Sequence, residues 1–195
     1  QSKVRLNYRG LDIEKLESGN SDPPKSFELR DGFVSAGRLI PQKGFLEMVE
    51  FFSASTFSGH LEIYGDGPEK ITIENFIEHN RIKNVHLKGL VSQTDLYGAF
   101  RSAKFFLFLS TKEGEILPNV VKEAMLAGCV VICKRIPAMD ELINDRANGF
   151  LFDSVDEIED ILKLPDHRLK TVALSARKHI RSNYCAKITV GNYLD

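Results

Sequence analysis

Residues 105–109 of FFLFLS are apolar on consecutive positions. Successive side chains of a strand point to opposite faces, so this run needs both faces covered. It suits a central strand of a parallel sheet better than a half-wet antiparallel one. A short acidic loop, a helix opened by Pro118 and a second apolar strand, CVVIC at 129–133, follow directly. Residues 105–133 therefore predict strand, loop, helix and strand around one crevice, with acidic side chains and a helix N-terminus at its mouth.

The rest of the chain repeats this alternation. Residues 2–8 read as a short first strand, and the polar stretch RGLDIEKLESGNSDPPKSFELRDG as a surface connection broken by Gly and Pro. FVSA at 33–36 is a strand, followed by a helix FLEMVEFFSAS whose buried face takes Leu46, Val49, Phe52 and Phe45. HLEIYG leads through GDGP into a helix opened by Pro68, and KNVHL at 83–87 is the next strand, after which Lys88 to Val91 turn away. Ser92 is placed to cap the helix QTDLYGAFRSA. Beyond CVVIC come a turn with a short helix at 136–147, the strand GFLF, a helix VDEIEDILKL capped by Asp153 or Ser154, and a long terminal helix.

Six or seven alternations with no internal repeat predict an α/β fold, a Rossmann-like three-layer sandwich around a parallel sheet. Right-handed crossovers bring the strand C-termini to one edge, where ligands bind. The length of 195 residues suits a single sizeable domain.

Composition narrows the function classes. With 26 basic and 27 acidic residues the formal net charge is −1, which implies no bulk attraction to nucleic acid or an anionic membrane. Cys129, Cys133 and Cys185 suggest no disulfide framework; the first two read as buried thiols in a reducing compartment. No run approaches a membrane span, and the N-terminus lacks a signal-like apolar core. The five histidines, His60, His79, His86, His167 and His179, are scattered and compose neither a triad nor a metal site.

Four segments leave strands at the predicted ligand edge: GRLIPQKG, GDGP, KGLV and STKEGEILPNVVKE. None matches GxGxxG or a P-loop. Gly67 in GDGP permits close approach of backbone to a ligand. Arg38 and Lys43, on either side of Pro41, offer a rigid donor fork and a mobile cation suited to a diphosphate. With Pro118 in the first turn, the amides of Asn119, Val120 and Val121 face the crevice and favour an anion. Glu123 lines the crevice wall one turn on, with Glu115 folded over it, and a carboxylate suits paired sugar hydroxyls. The competing bland expectation is a solvated helix face carrying Lys122 and Glu123.

The stretches GRLIPQKGF, LEIYGDGP, VHLKGLV, LSTKEGEILPNVVKEAMLAG and DELINDRANGFLF, in this order over roughly residues 33–153, resemble the C-terminal half of retaining glycosyltransferases of family 4, the glycogen-synthase-like group with the GT-B fold. The resemblance implies one half of a GT-B fold, a nucleotide-sugar-binding domain whose acceptor-binding N-terminal partner is absent from residues 1–195. It implies that Arg38 and Lys43 bind the donor diphosphate, that Glu115 faces the transferred sugar and that Glu123 binds ribose hydroxyls. Leu90 and Val91 would lie beside the base, and Leu117, Pro118, Asn119 and Val120 at the sugar and phosphate end.

The resemblance also implies the chemistry of the longer enzyme: retaining transfer of a sugar from a nucleoside diphosphate donor to a glycan, lipid or small-molecule hydroxyl. A UDP-sugar ranks ahead of a GDP-sugar. No cofactor or metal is expected, since the chain has no DxD sequence. The domain alone is expected to be inactive in transfer, and its start at Gln suggests an excised piece. The longer protein is expected in the cytoplasm or at the cytoplasmic face of a membrane. Two departures stand out. The Glu113-Gly114 doublet competes with Glu115, which the spacing favours, for the place of the first motif glutamate, and Ile116 stands where glycine is usual. A non-catalytic nucleotide-binding module and a GT-B epimerase are the rival expectations.

Overall fold

A computed structural model describes residues 10–19, 24–54, 59–111 and 117–186. The expected strand at 2–8, the glutamates Glu113 and Glu115, and the tail from 187 lie outside the described residues. Among the described residues six parallel strands are hydrogen-bonded in the order β3-β2-β1-β4-β5-β6. They are β1 (Asp31–Ala36), β2 (Leu61–Tyr64), β3 (Val85–Gly89), β4 (Ala103–Phe108), β5 (Val130–Lys134) and β6 (Phe150–Phe152). The order reverses between β1 and β4, and that switch point opens a crevice at the C-terminal edge.

Among the described residues eight helices cover the two faces: α1 (Ile13–Ser18), α2 (Phe45–Ala54), α3 (Lys70–His79), α4 (Gln93–Ser102), α5 (Asn119–Ala127), α6 (Pro137–Leu142), α7 (Asp156–Leu162) and α8 (Asp166–Asn183). The alternation of strand side chains explains why the apolar run at 105 serves two cores. Phe105 and Leu107 join Phe33, Phe52 and Ile132 on the α2 side, while Phe106 and Phe108 join Val121, Met125 and Val131 on the side of α4 and α5. Phe33 stacks on Phe105 at 4.8 Å and meets Phe52 edge-on at 4.9 Å. Such ring pairs add about 0.5–1.5 kcal/mol beyond the area they bury.

Several expectations are corrected. The polar stretch after residue 9 contains α1, because Leu11, Ile13 and Leu16 fall on one buried face despite charged neighbours. Asp12 caps it, accepting from the Lys15 amide at 3.1 Å. In α2 the buried set is Phe45, Met48, Val49 and Phe52, and Leu46 is only half-buried, since the i, i+3, i+4, i+7 stripe starts at Phe45. β3 runs on through Lys88 to Gly89 instead of ending at Leu87. Neither Asp153 nor Ser154 caps α7 with its side chain. Glu157 reaches back instead, its carboxylate accepting from both of their amides at 3.0 and 2.9 Å. The expected buried thiols are found: Cys129 and Cys133 are fully enclosed, and burial pushes the Cys129 thiol up to about 12.

Candidate functional site

Three glycines end the strands at the crevice and continue their ladder. The Gly37 amide donates to the Tyr64 carbonyl at 3.0 Å, and the Gly65 amide to the Gly89 carbonyl at 2.8 Å. Gly65 has φ +134, and a Cβ there would stand 1.9 Å from the Gly37 oxygen, so only glycine lets these turns approach so closely. The 38–40 segment is stitched to GDGP: the Leu39 amide donates to Asp66, and the Glu69 amide to Leu39. Gly67 packs against the Leu39 backbone and is not among the residues lining the cleft.

Above this floor lies a cleft of about 540 Å³. It brings together six of the expected residues: Arg38 from the β1 exit, Leu90 and Val91 from the β3 exit, and Asn119, Val120 and Glu123 from α5. Sequence reasoning missed Tyr64, Asp66 and Leu96, which also line it. Among the described residues the Arg38 side chain has no hydrogen-bond or ion-pair partner. Leu90 is 77% exposed, an apolar side chain left in water at the cleft mouth. Tyr64 is tethered, its hydroxyl donating to Glu62 at 2.8 Å, while Glu62 pairs with Lys88 at 3.2 Å.

Lys43 stands apart from this lining. It ends a 3-10 turn, Pro41–Lys43, that closes on the left-handed Gly44. The Gln42 carbonyl accepts from the Thr111 amide at 2.8 Å, tying the turn to the β4 exit, and Lys43 Nζ lies 5.3 Å from the centre of the Phe108 ring. Leu117 is buried with φ +22. Pro118 is the N-cap of α5, one position earlier than expected, and its carbonyl accepts from the Val121 amide at 3.2 Å. Val121 is thus withdrawn from the crevice, whereas Asn119 and Val120 begin the helix, where amides have no intrahelical acceptor.

The expectation of a solvated α5 face fails. Lys122 is 1% exposed and Glu123 7%. The Lys122 ammonium lies 5.7 Å from the centre of the Tyr184 ring. Burial pushes the Glu123 carboxyl above its usual range, opposed by a bond donated from Gln93 at 3.0 Å and by the Lys122 charge. Gln93 was overlooked because its only sequence signal was the Ser92 cap beside it. Arg30, also overlooked, holds the far end of α5 through the carbonyls of Ala127 and Gly128. Among the described residues no cluster of three or more His, Cys, Asp or Glu is built to hold a metal, and no helix is long and apolar enough to cross a membrane.

The family profile of Glycosyl transferases group 1 matches residues 21–178. The chain belongs to this family. It is a glycosyltransferase domain, and 24% identity over 204 residues relates it to an uncharacterized glycosyltransferase of Methanocaldococcus jannaschii, MJ1069, covering 97% of this chain and 51% of the relative. A TarM variant from S. aureus, crystallised with fondaparinux, alpha-GlcNAc-glycerol and UDP, superposes with TM-score 0.77 at 24% identity, covering 89% of this chain and 36% of TarM. Anabaena HepE with UDP and glucose gives TM-score 0.75 at 18% identity, covering 94% of this chain and 50% of HepE. The α/β domain therefore has the architecture of GT-B glycosyltransferases. It spans between 26% and 51% of the length of the curated relatives it matches.

Proposed function

We propose that residues 1–195 form the C-terminal, donor-binding domain of a retaining family 4 glycosyltransferase, binding a nucleoside diphosphate sugar. One observation carries this: an arginine with no partner among the described residues, a buried carboxylate, an exposed apolar pair and a helix N-terminus converge on one cleft at the strand edge. Arg38 and the amides of Asn119 and Val120 take the diphosphate, with Lys43 reaching it from the turn outside the cleft lining, Glu123 the ribose hydroxyls, and Leu90 with Val91 the base. Leu117 and Pro118 shape the sugar and phosphate end, with Gly67 keeping the floor tight. Glu115 is assigned to the transferred sugar from motif spacing alone. The UDP in the TarM and HepE complexes supports a UDP-sugar ahead of a GDP-sugar.

In the longer protein an acceptor hydroxyl, presented by an N-terminal domain, attacks the anomeric carbon on the face the diphosphate leaves. The bond from that carbon to the diphosphate oxygen breaks with its electron pair, and the acceptor proton passes to the departing oxygen. Stabilising that growing negative charge is the task assigned to Arg38, Lys43 and the helix amides. We assign no cofactor beyond the donor. The buried thiols of Cys129 and Cys133 suit a reducing cytoplasm.

Calorimetric titration of the chain with UDP, GDP and ADP tests the assignment. Saturable binding of one nucleotide, weakened by both Lys43→Ala and Glu123→Ala, is expected. No binding at millimolar nucleotide to a folded chain would overturn it.

A further inference from the structure

Gln93 joins the two walls of the cleft by a side-chain hydrogen bond. It is the first residue of α4, directly after the Leu90–Val91 segment, and its Nε2 donates to Glu123 Oε1 on α5 at 3.0 Å. Its own position is fixed. Ser92 Oγ accepts from the Asp95 amide at 3.1 Å and donates to the Asp95 carboxylate at 2.7 Å, a reciprocal cap that locks the start of α4. Glu123 is almost entirely buried, so its rotamer and the direction of its second oxygen depend on what holds the first.

We propose that Gln93 is a positioning residue that clamps one carboxylate oxygen of Glu123, so that the other is aimed at the 2′ and 3′ hydroxyls of a nucleotide ribose. This rests on the donor-site assignment above. It adds that ribose recognition is shared between α4 and α5, and that the segment beside the base is mechanically linked to it. A carboxylate free to rotate accepts from water or from a single hydroxyl. A clamped one presents a fixed acceptor to a diol, and less ordering is left to be done on binding. Lys122 on α5 supplies the charge that acts on this carboxylate, and Arg38 and Asp66 are the other charged residues lining the same cleft.

The test compares wild type, Gln93→Leu and Gln93→Glu in two measurements. Titration with UDP, GDP and ADP, each against its 2′-deoxy counterpart, is expected to show wild type preferring the ribonucleotide by about tenfold, the worth of one well-made charged hydrogen bond. In Gln93→Leu that preference shrinks to within about twofold of unity, mainly through loss of ribonucleotide affinity and with little change for the deoxy form. Gln93→Glu keeps the side-chain size and loses the preference at neutral pH, because two carboxylates now face each other.

Carboxyl carbon NMR of Glu123 without any nucleotide supplies the second measurement. Its titration midpoint is expected to rise in Gln93→Leu, since a donated bond that favours the ionised form is removed. An unchanged midpoint together with an unchanged ribose preference would overturn the positioning role while leaving the donor site standing. A wild-type chain that binds no nucleotide, with a midpoint that Gln93→Leu does not move, would overturn both.

Discussion

Arg30 donates to the carbonyl of Gly128 at 2.9 Å and to that of Ala127 at 3.1 Å, so a side chain just before β1 caps the C-terminal end of the helix that carries Glu123. Ninety-eight positions separate Arg30 from Gly128. A cation at a helix C-terminus complements the dipole and satisfies carbonyls that have no intrahelical donor. Its Nε also donates to the Lys25 carbonyl at 3.1 Å, so the guanidinium fastens three segments at once.

Arg30→Met is expected to lower the unfolding free energy by about 2–4 kcal/mol, because it orphans buried carbonyls without replacing their donor. Urea denaturation checks this: the midpoint should fall with little change in slope. A midpoint equal to that of wild type would mean the cap is redundant.

Gly65→Ala attacks the floor of the cleft. The added methyl would stand 1.9 Å from the Gly37 oxygen at a φ that side chains rarely adopt. Separation of the β1 and β2 exits, or a loss of more than about 3 kcal/mol, is expected. Gly89→Ala is the comparison, since nothing lies within 4 Å of a Cβ there and only the positive φ of +72 opposes it. Thermal melts should rank Gly65→Ala well below Gly89→Ala, and equal melting points would deny the close approach.

The sheet was legible because its strands are apolar runs separated by Gly and Pro, and such runs have few other places to go. What escaped was set by contacts distant in sequence. Leu11, Ile13 and Leu16 sit among charges, so their shared face is visible only once α8 and the Leu11–Cys185 bridge give them something to cover. The i, i+3, i+4 stripe of α2 was misplaced by one residue because Leu46 and Met48 are equally apolar. At the site, spacing brought Arg38, Leu90, Val91, Asn119, Val120 and Glu123 to one cleft, since strand ends and a helix start fix them. Gln93 and Arg30 act across 30 and 98 positions, and no local pattern announces such bonds.

Arg38 gives a charge-specific prediction. Its guanidinium has no partner among the described residues and lines the cleft, so its removal should cost little stability. Arg38→Ala is expected to weaken nucleoside diphosphate binding by about tenfold to a hundredfold, as for a charge-assisted hydrogen bond. The affinity for the matching nucleoside, which lacks phosphates, should be unchanged. Paired calorimetric titrations decide it: equal losses for diphosphate and nucleoside would place Arg38 at the base or ribose instead.

Glu123 should trade stability against binding. Burial, opposed by Gln93 and Lys122, raises its carboxyl above the ordinary 4.5 in the folded chain. A carboxyl raised on folding contributes stability that is fully present below 4.5 and is lost as pH climbs through its folded-state value. Glu123→Gln removes that ionisation, so the variant's stability relative to wild type should grow with pH across this window and then level off. Nucleotide binding should run the other way. Ribose hydroxyls donate to the ionised carboxylate, so wild-type affinity should strengthen as pH rises through the same window, with proton release on binding. The variant should bind more weakly at neutral pH and show no such release. Denaturation curves from pH 4.5 to neutrality, with calorimetry in two buffers of different ionisation enthalpy, measure both sides. A variant that is less stable than wild type at neutral pH would mean that the Gln93 bond and the Lys122 charge outweigh burial.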